Sequence, residues 1–276
     1  MDINTIRHIE RPRSAAEVTP WREGLAWLSG GTWLFSEPQP ALDTLIDLRA
    51  FDWPDLAVGP DGLEIAATAR IAALDALAPP PEWTAGPLLS LCSRALLMSF
   101  KIAHEASVGG NICMSLPAGA MISLTVALEG VYTLWPREGA PRTVAAADFV
   151  TGNHANILAP GELLRSIHLP ASALAKRFAF RRSSLYHLGR SAALLIGTSG
   201  PEGDLLLTIT AATFRPVQLR FARAPSAEDL RHAIAAAIPH DGYFDDVNGL
   251  PAYRRHLTFH FAEEIRAELA GPGAVA

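Results

Sequence analysis

The sequence predicts an α+β fold, on three observations. Stretches with strand-like alternation and stretches with helical spacing mix without regular βα alternation. Three consecutive prolines, residues 79–81, divide the first half of the chain, because such a run continues neither a helix nor a central strand. Finally, 49% of the 276 residues are hydrophobic, enough to bury a sizeable core in one large or two to three small domains.

Taken in chain order, the first block runs from about residue 1 to 77. It holds "LAWLSGGTWLF" and "LDTLIDLRAF", then "LEIAATA", which alternates in strand fashion after the "PDG" turn, and "RIAALDAL", a short helix. "APPPEW" breaks the chain. In the second block "GPLLSLCSRALLMSFKIA" is expected to be helical, with Leu88, Leu89, Leu91, Ala95 and Met98 forming much of an apolar stripe. "MISLTVALEG" is compatible with a helix, "GVYTLWP" with a strand, and "APGELLRSIHLP" with a turn followed by an alternating run. The third block, from about residue 171, holds "RFAFRRSS", "AALLIGTSG" and "DLLLTITAATFRPVQLRF", then the helical segments "SAEDLRHAIAAAI" and "AYRRHLTFHFAEEIRAELA". Ser226 and Asp229 resemble a capping box, with Asp in place of Glu. The tail "GPGAVA" is expected to fray.

Composition excludes several classes of function. Net charge is −5 and the cations are scattered, so the basic face that nucleic acid requires is missing. No apolar run reaches the roughly 18–20 residues of a membrane span; "ISLTVALEGVYTLW" is interrupted by Glu129. The start, "MDINTIRHIERPRS", has no apolar core of a secretory signal. Cys92 and Cys113 form neither a disulfide framework nor a metal knuckle, and read as small buried thiols in a reducing cytoplasm.

Two segments carry a shared chemistry. "WLSGGTWL" (27–34) and "HEASVGGNICMSLPAG" (104–119) each place a glycine pair after an apolar lead-in. Glycine lets the backbone approach a ligand closely, and loops that point N–H groups outward suit phosphate. Ser29, Thr32, Ser107 and Asn111 add short polar side chains. Neither loop has the spacing of a dinucleotide fold or of a P-loop. The chemistry is therefore specific and the scaffold is not.

Five segments in order give the scaffold. "LSGGTWL" is similar to an "LAGGTDL" loop, and "LIDLR" followed by "DGLEIAATARIAAL" to the strand, turn and helix after it. "ASVGGNICMSLPAG" is similar to T-[IL]-GGN-[IL]-A-x-x-x-P-A-x-D, "FVTGNHANILAPGELLRSIHLP" to "FFTGYRKTxLxPxELLxxIxIP", and "AYRRHL" to a C-terminal "YRRHL" helix. Over nearly its whole length the chain resembles the FAD-binding medium subunit of molybdenum hydroxylases, the family of aerobic carbon monoxide dehydrogenases and bacterial xanthine dehydrogenases.

The resemblance implies a PCMH-type, vanillyl-alcohol-oxidase-like FAD-binding domain over 1–172, with subdomains of about 1–77 and 82–172, and a smaller C-terminal α+β domain over 173–276. It implies that FAD lies in the cleft between the subdomains, held by Leu28, Ser29, Gly30, Gly31, Thr32 and Leu34 of the first loop and by Ser107, Gly109, Gly110 and Asn111 of the second. Leu164 would touch the flavin, and Arg181 would be a cation near its ring, where positive charge stabilises anionic reduced flavin. Substrate oxidation would occur on a large molybdopterin subunit, and electrons would arrive through [2Fe–2S] clusters on a small subunit, in a dimer of heterotrimers. No residue of this chain need be catalytic. A self-sufficient flavo-oxidase or dehydrogenase, and a scaffold that has shed FAD, stay open as alternatives.

The chain departs from the family pattern in places. Ala120 stands where the family has Asp, Trp33 where Asp or Glu is usual, and Ala103–His104 where Arg-Asn is frequent. The loss at 120 removes an acid that normally bonds the cofactor. Tyr186 and His187 follow Arg181, in a region that the resemblance places against a flavin face; plain loop packing is the other reading. His256 and His260 share one helix face, but lack further ligands and read as surface or packing residues. "PHDGYFDD" (239–246) lacks the EF-hand register and reads as a solvated loop.

Overall fold

The computed structural model describes residues 4–186 and 189–270; His187 and the tail from residue 271 lie outside them. Three strands open the chain: β1 (His8–Glu10), β2 (Leu25–Leu28) and β3 (Thr44–Asp47). They form a parallel sheet in the order β1-β3-β2. β3 is buried along its whole length, as a strand covered on both faces must be.

The second unit begins with the hairpin β4 (Leu56–Gly59) and β5 (Gly62–Ala66). It continues through helices α1 (Ile71–Ala76), α2 (Leu88–Arg94), α3 (Phe100–Ala103), α4 (Val108–Cys113) and α5 (Ala120–Ala127). Strands β6 (Val131–Trp135) and β7 (Arg142–Ala145), helix α6 (Ala146–Phe149) and the short hairpin β8 (Val150–Gly152) and β9 (Ala155–Asn156) follow. β10 (Leu163–Pro170) and α7 (Ala171–Leu174) close the unit. Its sheet runs β4-β5-β10-β6-β7, all antiparallel, with a bulge in β10 between Leu164 and Ser166.

The third unit is a meander of β11 (Arg177–Ser184), β12 (Ser191–Ser199), β13 (Leu205–Thr210) and β14 (Val217–Phe221), with α8 (Ala227–Ala237) and α9 (Pro251–Ala270) against it. β12 and β13 are buried throughout, because α9 covers one face and α5 lies against the other. Gly197 gives α9 its room: a Cβ there would sit 2.9 Å from Leu269 Cδ1. The Ser226 hydroxyl accepts from the Asp229 N–H at 3.1 Å, so α8 starts where the capping pattern places it.

Two expectations are corrected. The chain changes sheets between Asp47 and Leu56, not at the prolines, which join α1 to α2 within the second unit. The β4–β5 hairpin therefore belongs with β10, its antiparallel partner. Second, the helix expected over 86–103 is two helices. α2 stops at Arg94, and Ser99 restarts the chain as the cap of α3, accepting from the Ile102 N–H. The break turns Leu96, Leu97 and Met98 toward a cleft, and leaves Leu91 exposed instead of on a continuous stripe.

A cleft built from two glycine loops

Where β2 ends at Leu28, the chain turns through Ser29, Gly30, Gly31, Thr32, Trp33 and Leu34 along a cleft of about 1000 Å³. Gly31 has φ +68°, a conformation that costs glycine nothing. The N–H groups of Gly31, Thr32, Trp33 and Leu34 have no protein acceptor among the described residues, and the hydroxyls of Ser29 and Thr32 have no partner there either. This loop is a set of free donors beside a concavity.

The second loop forms the facing wall, with Ser107, Gly109, Gly110 and Asn111 all lining the cleft. Its amides are already engaged. Gly109 N–H donates to Ala67 O at 2.9 Å, Gly110 N–H to Ser107 Oγ at 3.2 Å and Asn111 N–H to Ser107 O at 3.1 Å. The expectation that both loops offer main-chain donors thus holds for the first alone. The glycines of the second serve close approach: a Cβ on Gly109 would lie 2.7 Å from the Cα of Ala67. The Asn111 side chain accepts from Met121 N–H at 3.1 Å and so ties this loop to the start of α5. That contact sits beside Ala120, which is fully buried in the core and does not line the cleft.

The two loops meet. A Cβ on Gly30 would overlap the Glu105 carbonyl oxygen and stand 3.2 Å from the Ala106 Cα. Leu164 of β10 lines the floor between them. Arg181 is elsewhere: its guanidinium bridges Glu264 at 2.6 Å and Glu268 at 2.7 Å on α9, and it does not line the cleft. The geometry corrects its assignment. An arginine on β11 points either toward α9 or away from it, and two carboxylates there capture it.

The third unit contributes a wall that the motifs do not announce, made of Arg190, Ser191, Ala211, Phe244, Asp246, Val247, Asn248 and Arg254. Arg190 forms no ion pair among the described residues and is the free cation on this wall. Arg254 is 1% exposed. It donates to Gly249 O at 2.8 Å, Ala192 O at 2.6 Å and Ala211 O at 2.7 Å, and pairs with Asp246. Burial alone would raise the Asp246 carboxyl, but Asn248 and Arg254 hold it below the usual range. The loop at 239–246, read from sequence as solvated, therefore ends in the cleft wall. No local pattern in the sequence announces this: the first arginine of "YRRHL" reaches Asp246 only once the helix has docked.

Glu162 is a buried carboxylate at the edge of the cleft, clamped by Arg142 through two bonds of 2.7 Å. Cys113 also lines the cleft, and burial pushes its thiol up to about 12, so it stays protonated and unreactive. Among the described residues no group of three or more His, Cys, Asp or Glu is placed to hold a metal ion. Tyr186 lies outside the cleft and is largely exposed. His256 and His260 stack on each other on the outer face of α9, with ring centroids 6.0 Å apart.

This donor set fits a phosphorylated dinucleotide. Free amides and hydroxyls suit a diphosphate, the glycines let the two walls come together around it, and the largely apolar cleft suits planar rings.

Residues 6–172 match the family described as the FAD binding domain in molybdopterin dehydrogenase. The carbon monoxide dehydrogenase medium chain of Afipia carboxidovorans is 29% identical over 184 residues, which span 62% of this chain and 61% of that one. Solved structures share the fold. Carbon monoxide dehydrogenase from Hydrogenophaga pseudoflava superposes with a TM-score of 0.77 at 18% identity, covering 96% of this chain and 97% of that chain. Quinoline 2-oxidoreductase from Pseudomonas putida 86 does so with a TM-score of 0.75 at 17% identity, covering 96% of each. With a matching family spanning more than half of its length and the same fold throughout, the chain belongs to the FAD-binding domains of molybdopterin dehydrogenases.

Proposed function

We propose that this protein is the FAD-binding electron-transfer subunit of a heterotrimeric molybdenum hydroxylase. The observation that carries the reading is the convergence of the glycine loop after β2, rich in free donors, and the glycine pair in the first turn of α4, at a cleft closed by the C-terminal unit. When bound, FAD supplies the ability to take electrons singly and release them in pairs.

The chain's own residues bind and shield. Ser29, Thr32 and the amides of Gly31–Leu34 would hold the diphosphate, in hydrogen bonds to a charged acceptor worth about 1.5–3 kcal/mol each. Leu164, Leu96 and Met98 would exclude water from the rings, and Arg190 would face developing negative charge. With two cysteines the chain lacks the four of an all-cysteine [2Fe–2S] cluster, and no group of three or more His, Cys, Asp or Glu is placed to hold a metal among the described residues. The clusters are then assigned to a small partner and molybdopterin to a large one, arranged as a dimer of heterotrimers in the cytoplasm. No helix among the described residues is long and apolar enough to cross a membrane.

The test is reduction of the purified yellow protein. Bleaching by the complex's substrate only when the molybdopterin and iron–sulfur chains are present supports the relay. Bleaching by substrate with this chain alone makes it a self-sufficient dehydrogenase, and a protein that stays colourless after FAD is added ends the flavin reading.

A further inference from the structure

The structure gives Trp33 a particular setting. It sits within the run of free amides and lines the cleft. Its indole lies against the imidazole of His154, with ring centroids 5.8 Å apart and planes at 43°. His154 comes from a different element, the turn between β8 and β9, and also lines the cleft. It has φ +55°, a conformation uncommon for a residue with a side chain. The turn is fastened by its N–H, which donates to Ser115 O at 3.0 Å.

We propose that Trp33, backed by His154, is the stacking partner of one of the planar rings of the dinucleotide. This inference rests on the flavin reading above. Four free amides fix where the diphosphate sits, and an indole among them has a neighbouring ring within reach. Stacking on a tryptophan tolerates either an isoalloxazine or an adenine, since both present a π-face. Imidazole contact on the other side limits the rotamers open to the indole, so less order is lost on binding.

The experiment titrates the apoprotein and its Trp33→Ala, Trp33→Phe and His154→Ala variants with FAD, FMN and ADP, reading tryptophan quenching and flavin absorbance. Trp33→Ala is expected to weaken FAD by on the order of 10- to 100-fold, with Trp33→Phe recovering most of the loss and His154→Ala showing a smaller one. Loss shared by FAD and FMN but not ADP assigns the isoalloxazine; loss shared by FAD and ADP but not FMN assigns the adenine. FAD binding by Trp33→Ala with wild-type affinity overturns the proposal and leaves the flavin reading intact. Failure of the wild-type protein to bind any of the three ligands overturns the flavin reading itself. Circular dichroism of each variant separates a lost contact from a lost fold.

Discussion

Gly30 and Glu105 touch through their backbones: a single added carbon on Gly30 would coincide with the Glu105 carbonyl oxygen. The two residues belong to different glycine loops, so the closeness of one wall of the cleft to the other is set by a hydrogen atom in place of a methyl. Gly30→Ala is expected to push the loops apart and abolish measurable FAD binding, since backbone on both sides cannot yield as a side chain does. Overpacking of this kind costs about 1–3 kcal/mol in stability. Flavin absorbance after gel filtration and a thermal melt check both parts.

The second glycine pair offers an internal control. Gly109→Ala would bring a Cβ to 2.7 Å from the Ala67 backbone, whereas Gly110→Ala meets only the Ser107 hydroxyl, at 2.8 Å. A hydroxyl rotates away and packed main chain does not. Gly109→Ala should melt well below the wild type, while Gly110→Ala should keep its fold and lose at most the Ser107 cap. Equal melting temperatures for the two variants contradict this account.

Arg190 lines the cleft, and Arg181, the cation expected there from sequence, does not. Arg181 is tied to α9 by two carboxylates that are themselves about half exposed. Arg181→Gln should cost roughly 1 kcal/mol and leave the flavin midpoint potential where it was. Arg190→Gln should lower that potential, because removing a cation from the cleft disfavours the more negative reduced form. Spectroelectrochemistry on both variants distinguishes them, and a shift in Arg181→Gln alone would restore the assignment made from sequence.

What was legible in the chain follows from how locally each constraint is written. The glycine pairs are visible because a backbone that must come close has one residue type available, and Leu28, Ser29, Thr32, Ser107 and Asn111 are fixed by adjacency to them. Strands such as β6 and β10 and the capped α8 are likewise local. Arg254, Arg190 and the turn at His154 were not legible as cleft residues, because they reach it only once the third sheet and the β8–β9 hairpin have docked. The same holds for the break between α2 and α3. Its helical periodicity is genuine, but packing Leu96 and Met98, both partly buried, beside the cleft overrode it. The triple proline is a true interruption that falls inside a unit, since β4 and β5 find their partner in β10, a strand about a hundred residues on.

Glu162 gives stability a pH dependence with a definite sign. Arg142 is the main cause of its lowered carboxyl, opposed by burial and aided by the Ala159 N–H. A depressed carboxylate stabilises the fold above its unfolded value of about 4.3, and the contribution disappears as pH falls through the folded value. Glu162→Gln should therefore melt below the wild type by the equivalent of about 1–3 kcal/mol at neutral pH. The gap between the two melting curves should be flat above about pH 5 and close on acidification. A gap that stays constant down to pH 3 would show that the Arg142 contact contributes no ionic stabilisation.

Arg254 supports the strongest prediction, because its guanidinium reaches four acceptors from three separate segments. Ala192 lies near the start of β12, Ala211 follows β13, and Gly249 and Asp246 close the turn that carries Val247 and Asn248 to the cleft. Arg254→Met leaves those carbonyls and the Asp246 carboxylate without their donor, and breaking a buried pair from one side costs about 3–5 kcal/mol. Over a chain of this size that corresponds to a fall in melting temperature on the order of 10 °C. Arg254→Lys keeps the charge but cannot reproduce the planar fork, so it should recover only part of the loss. Asp246→Asn retains an acceptor for the guanidinium and should be the mildest of the three. FAD affinity should fall in the same order, since all three changes loosen the wall that faces the glycine loops. A lysine variant as stable as the wild type would mean that charge alone, and not the forked geometry, holds the third unit against the cleft.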